Sequence, residues 1–445
     1  MKRIFLVCLY LLCINSVQAA LTIEITEGVE GAMPVATVPF CWKGEGAVPQ
    51  DVALVIDNDL RRSGKFSPLK RSDMLNKPCM RSQVRFQNWR ILEIPNLVIG
   101  TIEKSGDGYS VEFRLFDVYR ARQLKGFRYQ VKAPQLRKIA HQIADVVYEE
   151  LIGQRGAFDT QIAYIKKLPE KKGYGLFIAD SDTENEQLVL NSGSPILSPT
   201  WSPTGRKLAF VKTRNTGPAI YMLDIDKLAD ASIPLADKKP KRVTPYELKF
   251  SSPAWSPDGK RMAMMKSENG STDIYVMDLR TSKLKRITRH WSIDAEPTWS
   301  PDGDKLVFTS ERGGSPQLYS YSFSSGKVKR MTFEGTQNLR ASFSPDGKLL
   351  TFVHLTAGKD YNIAIMELDT GLVRIVTHKA VTESEHESPS FAPNGSMIIY
   401  AANYTRGKVA KKTALSAVSV DGGFHQRYVN RTGTGEVREP AWSSF

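Results

Sequence analysis

Beyond Gly156, apolar and polar residues alternate in short runs that are typical of half-buried β-strands. In the unit around Trp255, these runs predict strands over residues 254–256, 261–266, 273–279 and 284–288. The same order of four short strands follows Trp299 and Phe343. Four short strands repeated along a chain are typical of propeller blades, so we predict an all-β propeller for this part of the chain.

A motif of the form Ser-Pro-x-aromatic-Ser-Pro-Asp-Gly occurs six times, in whole or in part. Its aromatic residues are Trp201, Trp255, Trp299, Phe343, Phe391 and Trp442, at spacings of 54, 44, 44, 48 and 51 residues. Proline presets φ at the second position of a turn, and glycine accepts a positive φ where the chain re-enters a strand. The motif therefore predicts a tight hairpin, and we interpret its aromatic residue as part of the blade.

The sixth copy of the motif is truncated, because the sequence stops at Phe445 before the three strands that would complete its blade. Three unassigned strand patterns, over residues 161–166, 174–180 and 186–190, precede the first copy. We expect strand 439–443 to pair with strand 161–166, which would close the ring and leave no free sheet edge. The prediction is a six-bladed β-propeller over residues 157–445.

Residues 20–155 combine helical and strand periodicities and predict a small α+β N-terminal domain. The predicted helices cover residues 49–63 and 134–152, and the predicted strands cover 22–26, 35–40, 97–103, 109–117 and 123–131. His141 lies between apolar positions of the second helix and matches no metal-ligand motif. We interpret it as a packed or solvated histidine.

Residues 1–19 are predicted to be a signal peptide that is removed on export. Lys2 and Arg3 precede an apolar run over residues 4–14, and residues 17–19 resemble a cleavage site. The run is too short to span a bilayer and no second run of about 18 apolar residues follows, so no membrane span is expected. The segment after the cleavage site is a candidate mobile arm, with an ordinary edge strand as the alternative. The arm contains Leu21, Thr22, Ile23, Glu24 and Ile25.

Composition and charge narrow the class of partner. With 41% hydrophobic and 24% charged residues, the chain is expected to be globular. Its net charge of +14, lowered by two when Lys2 and Arg3 are removed, favours anionic partners. Nucleic acid is not expected among them, because the basic residues are dispersed and match no binding motif. Export leaves Cys41 and Cys79, which either form a disulfide or remain as two buried thiols.

Catalytic motifs are missing from the sequence. There is no G-x-S-x-G, Walker or G-x-G-x-x-G pattern, so neither an enzyme nor a cofactor is predicted. Each Ser-Pro-Asp-Gly turn offers one carboxylate where calcium needs six to eight oxygens. The cluster Glu383, Glu385, His386 and Glu387 matches no zinc spacing, so no metal site is predicted. Recognition is expected at the loops ahead of each motif copy, which vary while the motif repeats; simple connectors are the alternative.

The sequence resembles the TolB family of the Tol–Pal cell-envelope system of Gram-negative bacteria. The resemblance covers essentially the whole chain. It rests on the signal peptide, Val38-Pro39-Phe40-Cys41-Trp42, residues 59–66 and 153–158, the propeller hairpins, and the ending Glu439-Pro440-Ala441-Trp442-Ser443. It implies a periplasmic, non-enzymatic adaptor that supports outer-membrane integrity and constriction during cell division.

The resemblance also implies partners and a binding face. Pal, the peptidoglycan-associated lipoprotein, would bind at the channel mouth of the propeller, and TolA would contact the N-terminal arm. Other Tol–Pal components, outer-membrane lipoproteins or colicins are further implied partners. Carried over by position, the Pal-facing residues would be Lys249, Ser251, Ser252, Asp294, Ala295, Glu296, Gln337, Asn338, Arg340, His386, Glu387 and Arg438. A cell-wall or glycan-binding propeller is the alternative function, since the basic balance also suits anionic polymers. An extracytoplasmic hydrolase that uses the propeller as its active site is the second alternative, although no acid–base pair stands out in the sequence.

Overall fold

The computed structural model describes residues 31–169, 173–215, 217–229, 238–268, 270–357, 361–377, 383–404, 412–428 and 436–445. The predicted signal peptide and the arm residues Leu21, Thr22, Ile23, Glu24 and Ile25 lie outside the described residues. Within the described ranges, every helix is too short or too polar to cross a membrane.

The N-terminal domain has one sheet with a hydrophobic core on each face. Its strands are β1 Met33–Thr37, β2 Cys41–Lys43, β3 Phe66–Pro68, β4 Asn96–Ser105, β5 Gly108–Asp117 and β6 Arg122–Val131, and its helices are α1 Val52–Arg62, α2 Phe86–Ile91 and α3 Leu136–Ile152. The strand order is β3-β1-β4-β5-β6, with β2 beside β4. Strand β1 pairs in parallel with β3 and with β4, and β2 also pairs in parallel with β4. The pairs β4–β5 and β5–β6 are antiparallel. Helices α1 and α3 pack on one face, and Trp89 of α2 is buried in the core of the other.

The helix ends follow from local chemistry. Helix α1 begins after Asp51, whose carboxylate accepts a hydrogen bond from the N–H of Leu54 at 3.0 Å, and it ends with Arg61 and Arg62 near the negative end of the dipole. Helix α3 ends at Gly153, which has a φ of 81°. Sequence periodicity did not predict α2, because a helix of six residues contains fewer than two turns.

Cys41 and Cys79 form a disulfide with a Cα–Cα distance of 5.6 Å. The sequence left open whether these cysteines form a disulfide or remain as two buried thiols, and in the structure they form the disulfide. It ties β2 to the loop between the short helical turns at 71–73 and 81–83. That loop has little regular structure of its own, so the bond adds a covalent restraint to a segment anchored in the core by Met74.

The propeller consists of six four-stranded antiparallel sheets, which confirms the predicted fold class. Blades one to three contain β10 Ile196–Trp201, β11 Lys207–Arg214, β12 Gly217–Asp224, β13 Lys241–Arg242; β14 Lys249–Trp255, β15 Arg261–Glu268, β16 Ser271–Asp278, β17 Leu284–Arg286; and β18 Asp294–Trp299, β19 Lys305–Ser310, β20 Gln317–Ser322, β21 Val328–Arg330. Blades four and five contain β22 Gln337–Phe343, β23 Leu349–Leu355, β24 Tyr361–Glu367, β25 Val373–Ile375; and β26 Glu383–Phe391, β27 Met397–Tyr404, β28 Lys412–Ser419, β29 His425–Tyr428. Blade six joins both ends of the ring through β30 Val437–Trp442, β7 Gln161–Lys167, β8 Tyr174–Asp180 and β9 Gln187–Ser192, and a short helix, α4 Ile225–Ala229, precedes β13.

The motif residues build the hairpins and join neighbouring blades. In blade two, Asp258 accepts hydrogen bonds from Ser256 Oγ at 2.5 Å and from the N–H of Lys260 at 3.0 Å, and Gly259 has a φ of 66°. The indole N–H of Trp255 donates to the carbonyl of Thr200 in blade one, at 3.3 Å. Trp201 and Trp299 make the same contact with the blade before them. The aromatic residues of the motif therefore have a structural role.

Strand β30 pairs antiparallel with β7, with Arg438 opposite Ile165 and Trp442 opposite Ile162. Trp442 is 8% exposed and its indole N–H donates to Thr160 Oγ1 at 2.8 Å. The strand from one end of the sequence therefore completes a sheet built from the other end of the propeller.

The N-terminal domain packs on the end of the propeller that carries the motif hairpins. Lys65 lies 2.8 Å from Asp421 in the β28–β29 turn, and Asn394 in the β26–β27 hairpin donates to the carbonyl of Arg155 at 3.0 Å. The strands alternate in direction, so the loops that lead into the innermost strands lie at the opposite end. Among the described residues, the N-terminal domain therefore does not cover the channel mouth formed by those loops.

Candidate functional site

The innermost strand of every blade contains a β-bulge with a left-handed residue at the first position of the motif, and β26 has a second such residue, Glu385 (φ 54°). We call the six residues at the first motif position the bulge ring: Ser198 (φ 50°), Ser252 (49°), Glu296 (53°), Arg340 (53°), Ser388 (55°) and Glu439 (50°). A non-glycine residue in this region costs of order 1–3 kcal/mol. The same cost recurs at the same point of all six blades, and bulges often re-aim side chains beside binding sites. The bulge ring is therefore the first component of the candidate site.

Arg340 connects the bulge ring across the channel. Its guanidinium lies 3.0 Å from Glu296 Oε1, 2.6 Å from Ser388 Oγ and 3.4 Å from Glu439 Oε1. Glu439 also accepts a hydrogen bond from the backbone N–H of Ser198. Because these residues come from blades one, three, four, five and six, their contacts cross the channel and narrow it at this level.

The charges in the channel are unequal. Burial opposes the charge on Arg340, but Glu296 and Glu439 outweigh that effect and raise the pKa of its guanidinium. Burial raises the pKa of the half-buried Glu387 carboxyl on β26, although Arg340 opposes this shift. Arg340 therefore faces three carboxyl groups, and Arg438 acts on one of them, Glu387, as well. The channel can accept cationic or hydrogen-bond-donating groups from a ligand that enters it.

Three exposed aromatic side chains stand around the channel mouth, on the loops that lead into β14, β18 and β22. Tyr246 is 75% exposed, Trp291 is 83% exposed and Phe333 is 73% exposed. The guanidinium of Arg242 lies 4.3 Å from the centre of the Tyr246 ring, and that of Arg330 lies 5.1 Å from the Phe333 ring. We call Tyr246, Trp291 and Phe333 the aromatic rim. Exposed aromatic side chains beside arginines are typical of the residues that dominate protein–protein binding.

The structure brings most of the predicted contact residues to this mouth. Ser252, Glu296 and Arg340 belong to the bulge ring, while Lys249 and Arg438 are exposed. Four further residues are partly buried beside the ring: Ser251, Ala295, Gln337 and Glu387.

Three of the predicted contact residues lie in the interior. Asp294 is fully buried and accepts hydrogen bonds from Arg312 at 2.7 and 2.9 Å. Asn338 is also fully buried, and it donates to Gln317 Oε1 at 2.8 Å. His386 is 3% exposed, and its Nδ1 lies 2.9 Å from the carbonyl oxygen of Tyr361. Asp294, Asn338 and His386 therefore hold the mouth loops in place and do not form the surface expected of them.

Sequence reasoning left out the aromatic rim. Its three members lie in blade-to-blade loops, eight to ten residues ahead of the motif aromatic residue that follows each of them. The available signal was a large aromatic residue in the short segment between two predicted strands. Ser198, Ser388 and Glu439 were also not among the predicted contact residues, although recognition was expected at the loops that contain them.

Two family models match the chain. The model described as the TolB beta propeller domain matches residues 148–445, and the TolB amino-terminal domain matches residues 21–124. Together they span both parts of the fold.

Relatives match over nearly the full length. The Tol-Pal system protein TolB of Thioalkalivibrio sulfidiphilus is 46% identical over 444 residues, covering 99% of this chain and 97% of that protein. The protein of the same description from Nitrosococcus oceani is 47% identical over 433 residues, covering 96% and 94%. The crystal structure of TolB from Acinetobacter baumannii superposes with a TM-score of 0.82 at 36% identity, covering 95% of this chain and 99% of that one.

Proposed function

The chain belongs to the TolB family, whose members are periplasmic propellers of the Tol–Pal system, and we propose that it is a non-enzymatic adaptor that binds Pal at the channel mouth. The observation that supports this proposal is the combination of the bulge ring and the aromatic rim at the uncovered end of the propeller. A protein partner could bury the aromatic rim and place a polar segment against Arg340 and its carboxylates. Aromatic residues and arginines are enriched in protein–protein interfaces, and a few of them supply most of the binding energy once a partner buries them.

The second part of the proposal concerns TolA. We propose that the arm containing Leu21 to Ile25 contacts TolA, so that one adaptor serves both the inner and the outer membrane. Other Tol–Pal components, outer-membrane lipoproteins and colicins are further candidate ligands of the same molecule. Through these contacts the protein would support outer-membrane integrity and constriction at cell division. This part rests on family membership, because the arm lies outside the described residues.

The test for Pal uses the mature protein and the soluble domain of Pal from the same bacterium, titrated in a calorimeter. Trp291→Ala removes the most exposed member of the aromatic rim. Truncating an aromatic residue that dominates an interface costs at least about 2 kcal/mol of binding free energy, so the Kd for Pal should rise by about 30-fold or more. The control is Leu372→Ala, since Leu372 is 58% exposed in the β24–β25 turn, at the other end of the propeller.

Three results would contradict the proposal. They are no binding of Pal by the parent protein, an unchanged Kd for Trp291→Ala, or an equal loss for Leu372→Ala. Salt-sensitive sedimentation with purified peptidoglycan in the absence of Pal would instead support the glycan-binding alternative.

A further inference from the structure

A cluster of buried and partly buried polar residues, six of them ionisable, joins the N-terminal domain to blade six. It forms where α1, α3 and the turn after β8 meet. Its members are Asp59 and Arg62 of α1, Arg137 and His141 of α3, and Asp180, Ser181 and Asp182 of blade six. Arg62 crosses the domain boundary and donates to the Ser181 carbonyl at 3.1 Å and to its Oγ at 2.6 Å. The adaptor function assigned to the channel mouth does not use this cluster.

His141 occupies the centre of the cluster and is 2% exposed. Its Nδ1 lies 2.6 Å from Asp59 Oδ2. Its Nε2 is buried without a hydrogen-bond partner among the described residues. That nitrogen points across the domain boundary, at 3.8 Å from Asp180 Oδ2 and 4.0 Å from Asp182 Oδ2. One imidazole ring therefore stands between a carboxylate of its own domain and two carboxylates of the propeller.

A count of charges assigns a protonation state to this ring. The three carboxylates face two guanidinium groups, those of Arg62 and Arg137. A neutral His141 leaves one uncompensated negative charge in the interior, whereas an imidazolium balances the cluster and supplies an N–H on each side. Unbalanced buried charge is costly, so the docked arrangement favours the charged ring.

Two other titratable groups lie next to the cluster. Tyr428 of β29 is buried close to Arg62, and burial raises the pKa of its hydroxyl, which therefore stays neutral. Asp145, one turn along α3 from His141, accepts hydrogen bonds from the N–H groups of Phe158 and Asp159, at 2.7 and 3.1 Å. Burial raises the pKa of Asp145 to about 6, so its carboxyl titrates within the neutral range as well. As it ionises it adds a negative charge near Asp59, which further favours a charged His141.

We propose that His141 is a charge-dependent latch: as an imidazolium it holds the N-terminal domain on blade six, and docking weakens when the ring loses its proton. Burial favours the neutral ring, but attraction to Asp59, the hydrogen bond to Asp59 and attraction to Asp182 outweigh it and raise the pKa of His141 above 6.5. A raised pKa means that docking is fully supported below the ordinary histidine pKa. This support is lost as the pH rises through the higher value.

Asp59, His141 and Asp182 are also close enough to be considered as metal ligands. The charge count argues against a dication, because it would leave the cluster with a net positive charge. Arg62 and Arg137 already pair with the carboxylates that would have to bind the ion. The proposal is therefore a proton-operated latch, and a metal site is an outcome that the experiment can reveal.

The experiment uses the full mature chain and needs no partner protein. Histidine-selective NMR labelling gives one ring signal for each of the six histidines, and His141→Asn identifies the signal of His141 by its loss. Asparagine can still donate to Asp59 but cannot become charged. Hydrogen exchange of residues 57–65 and 178–184, corrected for intrinsic rates, reports docking between about pH 5 and about pH 8. The matched control is Lys65→Gln, which removes an ion pair across the same boundary without removing a group that titrates near neutral pH.

The parent should lose protection in both segments as its His141 signal titrates. The loss should approach about tenfold for each pH unit by which the midpoint exceeds the ordinary value. His141→Asn should lose the step that follows the His141 signal, and Lys65→Gln should retain it. A change near pH 6 that comes from Asp57 and Asp145 should occur equally in the parent and both variants. A His141 midpoint at or below 6.5 would overturn the proposal even if the asparagine variant failed to fold. An identical step in His141→Asn would overturn it too, as would protection of the parent by zinc chloride that the variant does not show.

Discussion

Trp442 offers the sharpest test of how the propeller is closed. Only 8% of this residue is exposed, and it packs against residues of blades five and six. A tryptophan buries about 200 Å², and at about 25 cal/mol per Å² its loss is worth about 5 kcal/mol. This agrees with the range of about 3–5 kcal/mol for substitution of a buried tryptophan by alanine. Trp442→Ala should therefore lower the free energy of unfolding in urea by about 3–5 kcal/mol.

Two further variants separate closure from simple loss of packing. Trp442→Phe keeps most of the buried surface but loses the 2.8 Å hydrogen bond to Thr160, so its cost should be about 1–2 kcal/mol. Trp299→Ala removes the equivalent residue of blade three, which is 6% exposed, and should cost as much as Trp442→Ala. Strand β18 is joined to its partner β19 by a hairpin, whereas β30 and β7 have no hairpin between them and are held together by their ladder and side-chain contacts.

Hydrogen exchange provides the discriminating measurement. Trp442→Ala should expose the amides of β30 and β7 by local opening, while Trp299→Ala should leave those two strands protected up to global unfolding. Closure of the ring by Trp442 is contradicted if Trp442→Ala lowers the free energy of unfolding by less than about 1 kcal/mol. It is equally contradicted if β30 and β7 stay as protected in that variant as in the parent.

Three more predictions concern the N-terminal domain. Replacing Cys41 and Cys79 by serine opens a cross-link over 38 residues and should cost about 4 kcal/mol in urea unfolding; equal stability of the oxidised parent and the double variant would contradict this. Burial raises the pKa of Asp57 to about 6, so the folded state holds this proton longer than the unfolded state and loses stability as pH rises from 3.8 to about 6. Asp57→Asn should therefore be more stable than the parent near neutral pH, by at most about 3 kcal/mol, with the gain vanishing near pH 4; a gain that is constant with pH would refute the assignment. Gly64 has a φ of 70° and an added Cβ would lie 2.5 Å from Phe424 Cβ, so Gly64→Ala should increase hydrogen exchange at residues 57–65 at every pH, and unchanged exchange would count against this contact.

The sequence predicted the fold because local signals and global architecture agree. Six copies of one turn motif, separated by short alternating runs, predict a propeller. Both patterns are local, because each is formed by residues that are neighbours in the sequence. Helix α2 escaped prediction because its six residues are too few to show a period. The bulge ring was not predicted either, for a different reason. Five of its six members precede proline, a position that normally favours extended φ, so the left-handed conformation is set by pairing with the second strand.

The candidate site was less predictable than the fold. Loops have no fixed period, so the sequence cannot show which of their side chains point inward. Asp294 and Asn338 were predicted as loop residues of the binding face, whereas they lie at the start of β18 and β22 and are fully buried. Trp291, in the loop that leads into β18, is 83% exposed. The same limit applied to His141, because its carboxylate partners lie 82 residues before it and about 40 residues after it in the sequence.

The channel mouth and the docked N-terminal domain share one structural element, β30. Near its start, Glu439 belongs to the bulge ring and contacts Arg340. At its end, Trp442 donates to Thr160, whose hydroxyl donates in turn to the carbonyl of Ala157 at the domain junction, at 2.6 Å. A ligand at the mouth and the docking of the N-terminal domain can influence each other only if each interacts differently with two states of the structure between them. Because β30 touches both sites and is held in the ring by its pairing with β7, it is a direct connection along which such a difference could act.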